Sequence, residues 1–157
     1  MPQNIRRVVS GLDEHGKSVW SSDTQPSSYL DIPATGVRVT DIWRIPQMPP
    51  DVLADHAPKS MEMWPALGGL VFRLAEIPPS STVKNGDGRA AMHKSDTVDL
   101  MVIISGEIWG YQSDADEGVL LKPGDTFIQR GTMHAWENRG NVPCLFAVVL
   151  VGARTLG

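Results

Sequence analysis

Closely spaced prolines and glycines are the feature that most limits how this chain can fold. The 157 residues include 12 prolines and 15 glycines, and most of them stand between short apolar runs. Proline breaks a helix interior and glycine weakens it, so a long helix would have to contain its own breakers. Short strands joined by turns fit this distribution better. We therefore expect an all-β fold of roughly nine to eleven short strands, forming a sandwich or a barrel.

The apolar runs of the first half predict a hairpin, a loop and a strand. Residues 5–21 are typical of a hairpin, and residues 23–36 of a connection without regular structure. Residues 37–45 alternate apolar and polar side chains, which predicts a strand. Residues 46–69 are rich in proline and methionine, and a connection this long often serves as a lid or an interface segment. The predicted strand at 37–45 has one face made of Val37, Val39, Asp41, Trp43 and Ile45.

The second half predicts the remaining strands. Residues 70–77 form a clear strand, which Pro78 and Pro79 end. Residues 100–104 are continuously apolar, the pattern of a strand buried on both faces. Residues 80–89 and 114–118 are expected to be a loop and a turn. Further strands are expected at 108–111, 119–121, 126–129, 134–138 and 145–151.

Charge, hydropathy and cysteine content limit the cellular setting. The net charge is -4 and no basic run is present, which argues against a nucleic-acid partner. The longest strongly apolar run, residues 145–151, is too short to cross a membrane. The single cysteine, Cys144, excludes an intrachain disulfide and lies beside this run, so we expect a small buried hydrophobic residue. We predict a cytoplasmic protein that binds neither nucleic acid nor membrane.

The stretch from Met92 to Gly106 carries the residues best suited to chemistry. If it is extended, His93, Ser95, Thr97 and Asp99 share one face, which brings an imidazole and a carboxylate together. A second histidine, His134, lies in a similar stretch further along the chain. For both histidines two interpretations stay open: a site residue, or a neutral side chain hydrogen-bonded inside the protein.

The spacing of these residues resembles the first motif of the cupin superfamily, whose members are small jelly-roll β-barrels. That motif is Gly, five residues, His-x-His, three or four residues, Glu, six residues and Gly. His93 stands at the first histidine, Ser95 at the second, and Asp99 at the glutamate, six residues before Gly106. Gly88 lies one residue away from the family spacing.

The second cupin motif is also similar. It consists of Gly, five residues, Pro-x-Gly, two residues, His, three residues and Asn. Gly131, His134 and Asn138 match it, while Gln129 replaces the proline and Gly124 is one residue out of place. The resemblance covers roughly residues 70–151. It implies a double-stranded β-helix at 70–157, with residues 1–69 as a strand-and-loop extension packed on the barrel or on a dimer partner, in one structural domain overall.

The resemblance also implies a metal site, because the cupin motifs usually hold a divalent ion inside the barrel. His93, Asp99 and His134 would be the ligands and the catalytic residues, with Ser95 as a weak additional ligand. Fe, Mn, Ni or Zn would fit two imidazoles and one carboxylate, and no organic cofactor is expected. Asp99 is shorter than the family's glutamate by one C–C bond, ~1.5 Å.

Three functions remain open from the sequence. One is a metal-dependent enzyme acting on a small carbonyl-bearing or aromatic molecule, as an isomerase, decarboxylase, lyase or ring-cleaving dioxygenase. Another is a metal-free enzyme in which His93 or His134 is a general base that Asp99 orients. The third is a non-catalytic cupin that binds a small ligand.

We expect the strands at 5–21 and 37–45 to pair with a second barrel's edge in a homodimer. The expected pocket residues are Trp109, Tyr111, Phe127 and Trp136, which would line or plug the barrel.

Overall fold

Antiparallel strands are the main secondary structure of the chain. The computed structural model describes residues 4–82, 91–113 and 117–154. Gly88, most of the loop expected at 80–89 and part of the turn expected at 114–118 lie outside these residues. Ser80–Thr82 form a single 3-10 turn. The strands are β1 (Arg7–Leu12), β2 (Ser18–Thr24), β3 (Tyr29–Ile32), β4 (Val37–Ile45), β5 (Leu70–Ile77), β6 (Thr97–Ser105), β7 (Ile108–Tyr111), β8 (Val119–Leu121), β9 (Thr126–Arg130), β10 (Ala135–Glu137) and β11 (Cys144–Gly152).

Two sheets enclose the core, and a separate hairpin stands apart from them. The larger sheet has the order β3-β4-β5-β11-β6-β9, the smaller has the order β10-β7-β8, and β1 pairs with β2. Side chains from both sheets meet in one apolar cluster that includes Val71, Ile103, Ile108 and Phe146. The all-β, double-stranded β-helix fold predicted from the sequence is confirmed. Within the described residues, no helix has the length and apolar character that crossing a membrane requires.

Strand β3 lies where the sequence predicted a connection without regular structure, so that prediction is wrong. Tyr29–Ile32 pair antiparallel with Val37–Thr40 of β4. The run of four residues stands between Pro26 and Pro33, and pairing with β4 is what stabilises it as a strand. β4 lies between β3 and β5, and β3 pairs with its residues 37–40. The expected pairing of residues 37–45 with another barrel stays a prediction.

A β-bulge divides the inner face of β4. Asp41 is opposite Arg73 of β5, but Trp43 is opposite the next residue, Phe72, because the register shifts between Asp41 and Trp43. Ile42 is the extra residue of this bulge, and after it the side chains of β4 that would have pointed inward point outward. Trp43 therefore does not share a face with Val37, Val39 and Asp41 as predicted.

Strand β6 is buried on one face only. Asp99, Met101 and Ile103 point inward, whereas Leu100, Val102 and Ile104 are exposed. The expectation of burial on both faces is therefore wrong. An antiparallel sheet alternates inner and outer side chains, and the outer side chains of β6 are exposed.

Residues 46–69 contain no helix or strand and form one long connection, as predicted. The expected division of the chain at residue 69 stays a prediction. Strands on both sides of that position share the larger sheet, since β4 pairs with β5.

Candidate functional site

The barrel holds a cavity of about 460 Å³ on the inner face of the larger sheet. Apolar side chains dominate its wall, and they include Val39, Met101, Phe146, Val148 and Leu150. Among the described residues that line it, five have polar side chains: Thr35, Arg73, His93, Asp99 and His134. A wall of this kind suits a small, mostly apolar ligand that is oriented by a few polar contacts.

Backbone pairing brings the two predicted site histidines together. His93 and His134 form an isolated antiparallel bridge, in which each backbone N–H donates to the other residue's carbonyl oxygen at 2.9 and 2.8 Å. Their imidazole rings consequently lie with centroids 4.3 Å apart. The two motif stretches thus meet at a single point of the cavity wall.

Both imidazoles have the same nitrogen engaged. Nδ1 of His93 is 2.9 Å from the carbonyl oxygen of Ala91, and Nδ1 of His134 is 3.0 Å from that of Thr132. A carbonyl oxygen only accepts, so both Nδ1 atoms carry a proton, and Nε2 of each neutral ring carries the lone pair. Neither Nε2 atom has a hydrogen-bond partner within the described part of the chain.

The environment of His134 favours its neutral form. His134 is buried, and this burial lowers the pKa of its imidazole; the hydrogen bond to Thr132 opposes the shift, and the nearby charge of His93 adds to it. The buried Gln129 donates through Nε2 to the carbonyl oxygen and the hydroxyl of Thr132, at 2.7 and 2.6 Å. Gln129, which stands at the proline position of the cupin motif, therefore helps to fix the carbonyl group that holds His134.

Asp99 is a buried carboxyl without a hydrogen-bond partner at one oxygen. It is 7% exposed, and no donor within the described residues reaches its Oδ1 atom. Burial raises the pKa of the Asp99 carboxyl; the hydroxyl of Thr97 and the positive charges of Arg73 and His93 oppose that shift. Buried polar groups are normally satisfied, so an orphaned carboxyl facing a cavity requires an explanation.

The second buried carboxylate on this side of the barrel is fully paired. Nε of Arg73 donates to Oδ1 of Asp41 at 2.6 Å, and Nη2 of Arg44 donates to Oδ2 at 2.9 Å. The two guanidinium groups also donate to backbone carbonyl oxygens of residues 62–64. This network, which the sequence analysis did not identify, holds Met63 and Trp64 on the cavity wall. The connection at 46–69 therefore closes one side of the cavity.

The four aromatic residues predicted to line the pocket do not all reach it. Trp136 does, with Phe127 packed edge-on behind it at a centroid distance of 5.4 Å. Trp109 and Tyr111 do not, because β7 turns the alternate residues Ile108 and Gly110 inward. The guanidinium of Arg139 instead lies over Trp109, 4.4 Å from the ring centroid, and its Nη2 donates to the hydroxyl of Tyr111.

The donor groups do not converge as a three-ligand metal site requires. Within residues 4–82, 91–113 and 117–154, no group of three or more His, Cys, Asp or Glu side chains is placed to hold a metal ion. Ser95 is hydrogen-bonded to the Thr97 hydroxyl at 2.6 Å and is not among the residues that line the cavity. The side chain of Asp99 is one C–C bond shorter than the glutamate of the cupin motif, ~1.5 Å. The described residues thus fit the expected metal poorly.

Cys144 is fully buried, as the sequence predicted. Burial, with a smaller contribution from the negative charge of Glu107, raises the pKa of its thiol to about 12. The thiolate is the reactive form of cysteine, so Cys144 is a packing residue and not a nucleophile.

Comparisons with known proteins agree with this fold. No family model matches the sequence. The phomopsin biosynthesis cluster protein C' of Diaporthe leptostromiformis is 36% identical over 74 residues, which are 47% of this chain and 35% of that protein. The cupin-domain-containing oxidoreductase fogC of Aspergillus ruber is 25% identical over 154 residues, which are 94% of this chain and 72% of that protein. The chain thus spans about a third of the first relative and nearly three quarters of the second.

A solved structure supports the fold over the whole chain. A Salmonella typhimurium LT2 protein assigned to ethanolamine utilization superposes with a TM-score of 0.50 at 11% identity, covering 98% of this chain and 100% of that one. At this identity the likeness concerns the fold alone.

Proposed function

We propose that this chain, whose cupin fold the comparisons support, is an enzyme that moves protons on a small carbonyl-bearing molecule without needing a metal. The observation that carries the proposal is that Asp99, whose buried Oδ1 atom has no hydrogen-bond partner within the described residues, lines one apolar cavity together with His93 and His134. Burial raises the pKa of the Asp99 carboxyl and lowers that of the His134 imidazole, and groups whose environments shift their pKa values in this way are common acid–base partners.

In the proposed reaction, His134 is the general base. Its Nε2 atom removes a proton from the carbon next to the substrate carbonyl, because Nδ1 is already committed to Thr132. The Asp99 carboxyl donates to the carbonyl oxygen, on which negative charge develops as the enol forms. In an isomerisation, His134 returns the proton to the far carbon of a conjugated C=C bond while the enol O–H returns its proton to Asp99. In a lyase reaction, a β-substituent instead leaves with the electron pair of its C–X bond and takes the proton from His134, and Asp99 again recovers its proton from the enol O–H.

His93 acts as a positioning residue. Its backbone holds His134 by two hydrogen bonds, and its ring lies against that of His134. A charge on His93 disfavours a second charge on His134, which keeps the base neutral.

The substrate class follows from the cavity. A volume of about 460 Å³ accommodates a molecule of one or two rings, and the mostly apolar wall disfavours charged groups. Arg73 lines the cavity, but its Nε, Nη1 and Nη2 atoms all donate to protein groups already, so it does not require an anionic substrate. The names of two relatives, a biosynthesis cluster protein and an oxidoreductase, support a small-molecule substrate.

Proton exchange tests this proposal directly. Chelator-treated protein would be mixed in D2O with 2-tetralone and phenylacetone, and exchange at the carbon next to the carbonyl followed by NMR. We expect faster exchange with the wild-type protein than with His134→Gln, and no loss with His15→Gln, whose imidazole is exposed in a turn. Equal exchange with wild type and His134→Gln would contradict a base at this position, and would favour a cavity that only binds its ligand.

A metal-dependent enzyme is the second candidate, and one observation favours it. Histidines that bind metals commonly donate their other N–H to a carbonyl oxygen, as His93 and His134 both do. Two imidazoles could then hold an Fe, Mn, Ni or Zn ion whose remaining positions are filled by water or substrate, and the ion would polarise the carbonyl. Elemental analysis after purification without chelator separates the candidates, since near-stoichiometric metal that is lost in a His93→Gln variant would favour this one.

A further inference from the structure

Three polar side chains form a closed ring of hydrogen bonds beside His134. Gln112 donates through Nε2 to Oε1 of Gln129 at 3.1 Å. Gln129 donates through Nε2 to the hydroxyl of Thr132 at 2.6 Å, and that hydroxyl donates to Oε1 of Gln112 at 2.6 Å. Each side chain donates to the next and accepts from the previous one, so each holds the other two in place.

The ring joins the two sheets beside the site. Gln112 directly follows β7 of the smaller sheet, Gln129 belongs to β9 of the larger sheet, and Thr132 lies between β9 and β10. Gly131 has a φ of 63°, a left-handed backbone conformation that lets the chain turn between Gln129 and Thr132. Gln129 is 2% exposed, so its amide is oriented by these bonds and not by water.

The same amide holds the carbonyl group that fixes His134. Nε2 of Gln129 also donates to the carbonyl oxygen of Thr132 at 2.7 Å, and that oxygen is 3.0 Å from Nδ1 of His134. Within the described residues, every other hydrogen bond of the Thr132 side chain involves the two glutamines. The partner of one imidazole nitrogen decides which nitrogen carries the proton, so the position of this carbonyl sets the tautomer of His134.

The Gln129 amide has a second acceptor beside it that it does not use. In the antiparallel pairing of β6 with β9, Gln129 is directly opposite Asp99, and both side chains are buried. The Cβ atoms of such a pair are about 4.5–5.5 Å apart. Yet Oδ1 of Asp99 has no hydrogen-bond partner within the described residues, because both N–H groups of Gln129 are committed to Thr132. The amide thus supports His134 and leaves Asp99 unsatisfied.

We propose that Gln129, oriented by Gln112, is a positioning residue that keeps His134 protonated at Nδ1 and leaves the lone pair on Nε2. This inference rests on the proposed function, in which Nε2 of His134 removes the substrate proton. Gln129 is not among the described residues that line the cavity, so it acts through Thr132 and His134 and not on the substrate. Its loss therefore slows proton removal more than it weakens substrate binding.

Nitrogen NMR tests the inference without any substrate. Chelator-treated, full-length protein labelled with 15N-histidine would be compared as wild type, Gln129→Met and Asn138→Leu, at a pH where His134 is neutral. A His134→Gln variant assigns the signals. Methionine keeps the length of glutamine but removes both N–H groups. Asn138 is the matched control, because its buried amide also donates to backbone carbonyl oxygens, those of Ile77 and Val142, outside the ring.

We expect His134 to be protonated at Nδ1 in the wild-type protein and in Asn138→Leu, and to become a mixture of both tautomers in Gln129→Met. Gln112→Met provides a second test at an exposed position, where folding is not at risk. It opens the ring but leaves the bond from Gln129 to the Thr132 carbonyl, so the expected change is smaller and of the same kind.

The exchange assay adds a kinetic test. Gln129→Met should lower kcat at least about tenfold and change KM by less than about threefold, whereas Asn138→Leu should keep both within about threefold of wild type. A wild-type His134 protonated at Nε2, an unchanged tautomer in Gln129→Met, or an equal change in Asn138→Leu would overturn the inference. The expected tautomers in a protein that catalyses no exchange would contradict the proposed reaction, while the positioning of His134 by Gln129 would stand.

Discussion

Two buried carboxylates on the inner face of one sheet differ completely in how they are satisfied. Asp41 is fully buried and receives hydrogen bonds from the guanidinium groups of Arg73 and Arg44. Asp99 is nearly as buried, yet its Oδ1 atom has no partner and its pKa is raised by burial. Removing the partner of a buried charge strongly destabilises a protein, whereas a buried carboxyl without a partner already costs stability and is a candidate for function.

We therefore assign different roles to the two residues, a structural role to Asp41 and a functional role to Asp99. The Asp41 network fixes residues 62–64 against the cavity and so shapes it. Asp99 lines the cavity, and its Oδ1 atom has no hydrogen-bond partner within the described residues. If Asp99→Asn destabilised the fold and Asp41→Asn left its stability unchanged, this distinction would be wrong.

The largest effect is expected at Asp41. Asp41→Asn leaves the buried Arg73 without its charge partner, and we expect the free energy of unfolding to fall by roughly 3–5 kcal/mol. Urea denaturation measures this. The matched control is Asp23→Asn, which removes an exposed ion pair with Arg6 and should leave the midpoint unchanged. A loss at Asp41 no greater than that of the control would show that the network is not structural.

Asp99→Asn is expected to lower kcat/KM by at least about 100-fold, because the amide cannot transfer a proton to the carbonyl oxygen. Proton-exchange rates on the carbonyl compounds measure the loss. Asp96→Asn changes a neighbouring carboxylate that is exposed, and should retain activity. Equal losses in both variants would indicate a general electrostatic effect instead of a specific acid.

The same Asp99→Asn substitution is expected to stabilise the fold near neutral pH by about 1 kcal/mol. A carboxyl whose pKa is raised in the folded state contributes stability below its unfolded pKa, and this contribution is lost as the pH rises through the folded pKa. The variant should therefore be more stable than the wild-type protein at neutral pH, and the difference in stability should disappear as the pH falls to about 4. Thermal unfolding across this range measures it, and a destabilised variant would mean that Asp99 is satisfied after all.

The pH dependence of kcat/KM should have an acid limb and an alkaline limb. His134 must be neutral, and burial lowers its pKa from the usual value, so the acid limb follows His134. Asp99 must be protonated, so the alkaline limb follows its raised pKa. Asp99→Asn should remove the alkaline limb from whatever activity is left. A rate that keeps rising above neutral pH in the wild-type protein would contradict the assignment.

Much of the fold could be predicted from the sequence because it depends on local alternation. The strand at 37–45, the burial of Cys144 and the shared face of Ser95, Thr97 and Asp99 all follow from the period of two. The bulge at Ile42 could not be predicted, because it depends on the pairing with β5. Strand β3 likewise exists only through its neighbour, and the exposed side of β6 depends on what covers the sheet.

The sequence predicted which residues lie at the candidate site better than it predicted how they are arranged. Motif spacing located His93, Asp99 and His134, and all three line the cavity. The pairing of Asp41 with Arg73 left a signal, since each is a lone charge on the inner side of an alternating strand. No signal in the sequence showed that His93, Asp99 and His134 would fail to converge on a metal ion, because that depends on how far each side chain reaches across the barrel.

Titration of the Asp99 carboxyl tests the central distinction most directly. Asp99 can be followed by 13C NMR of carboxyl-labelled aspartate, with Asp99→Asn used to assign its signal. We predict a midpoint clearly above the ordinary aspartate value of about 3.9, with a carboxyl group that is still protonated where the exposed aspartates are ionised. A midpoint at or below that value would show that Asp99 is stabilised as an anion, and would contradict its proposed role as the acid.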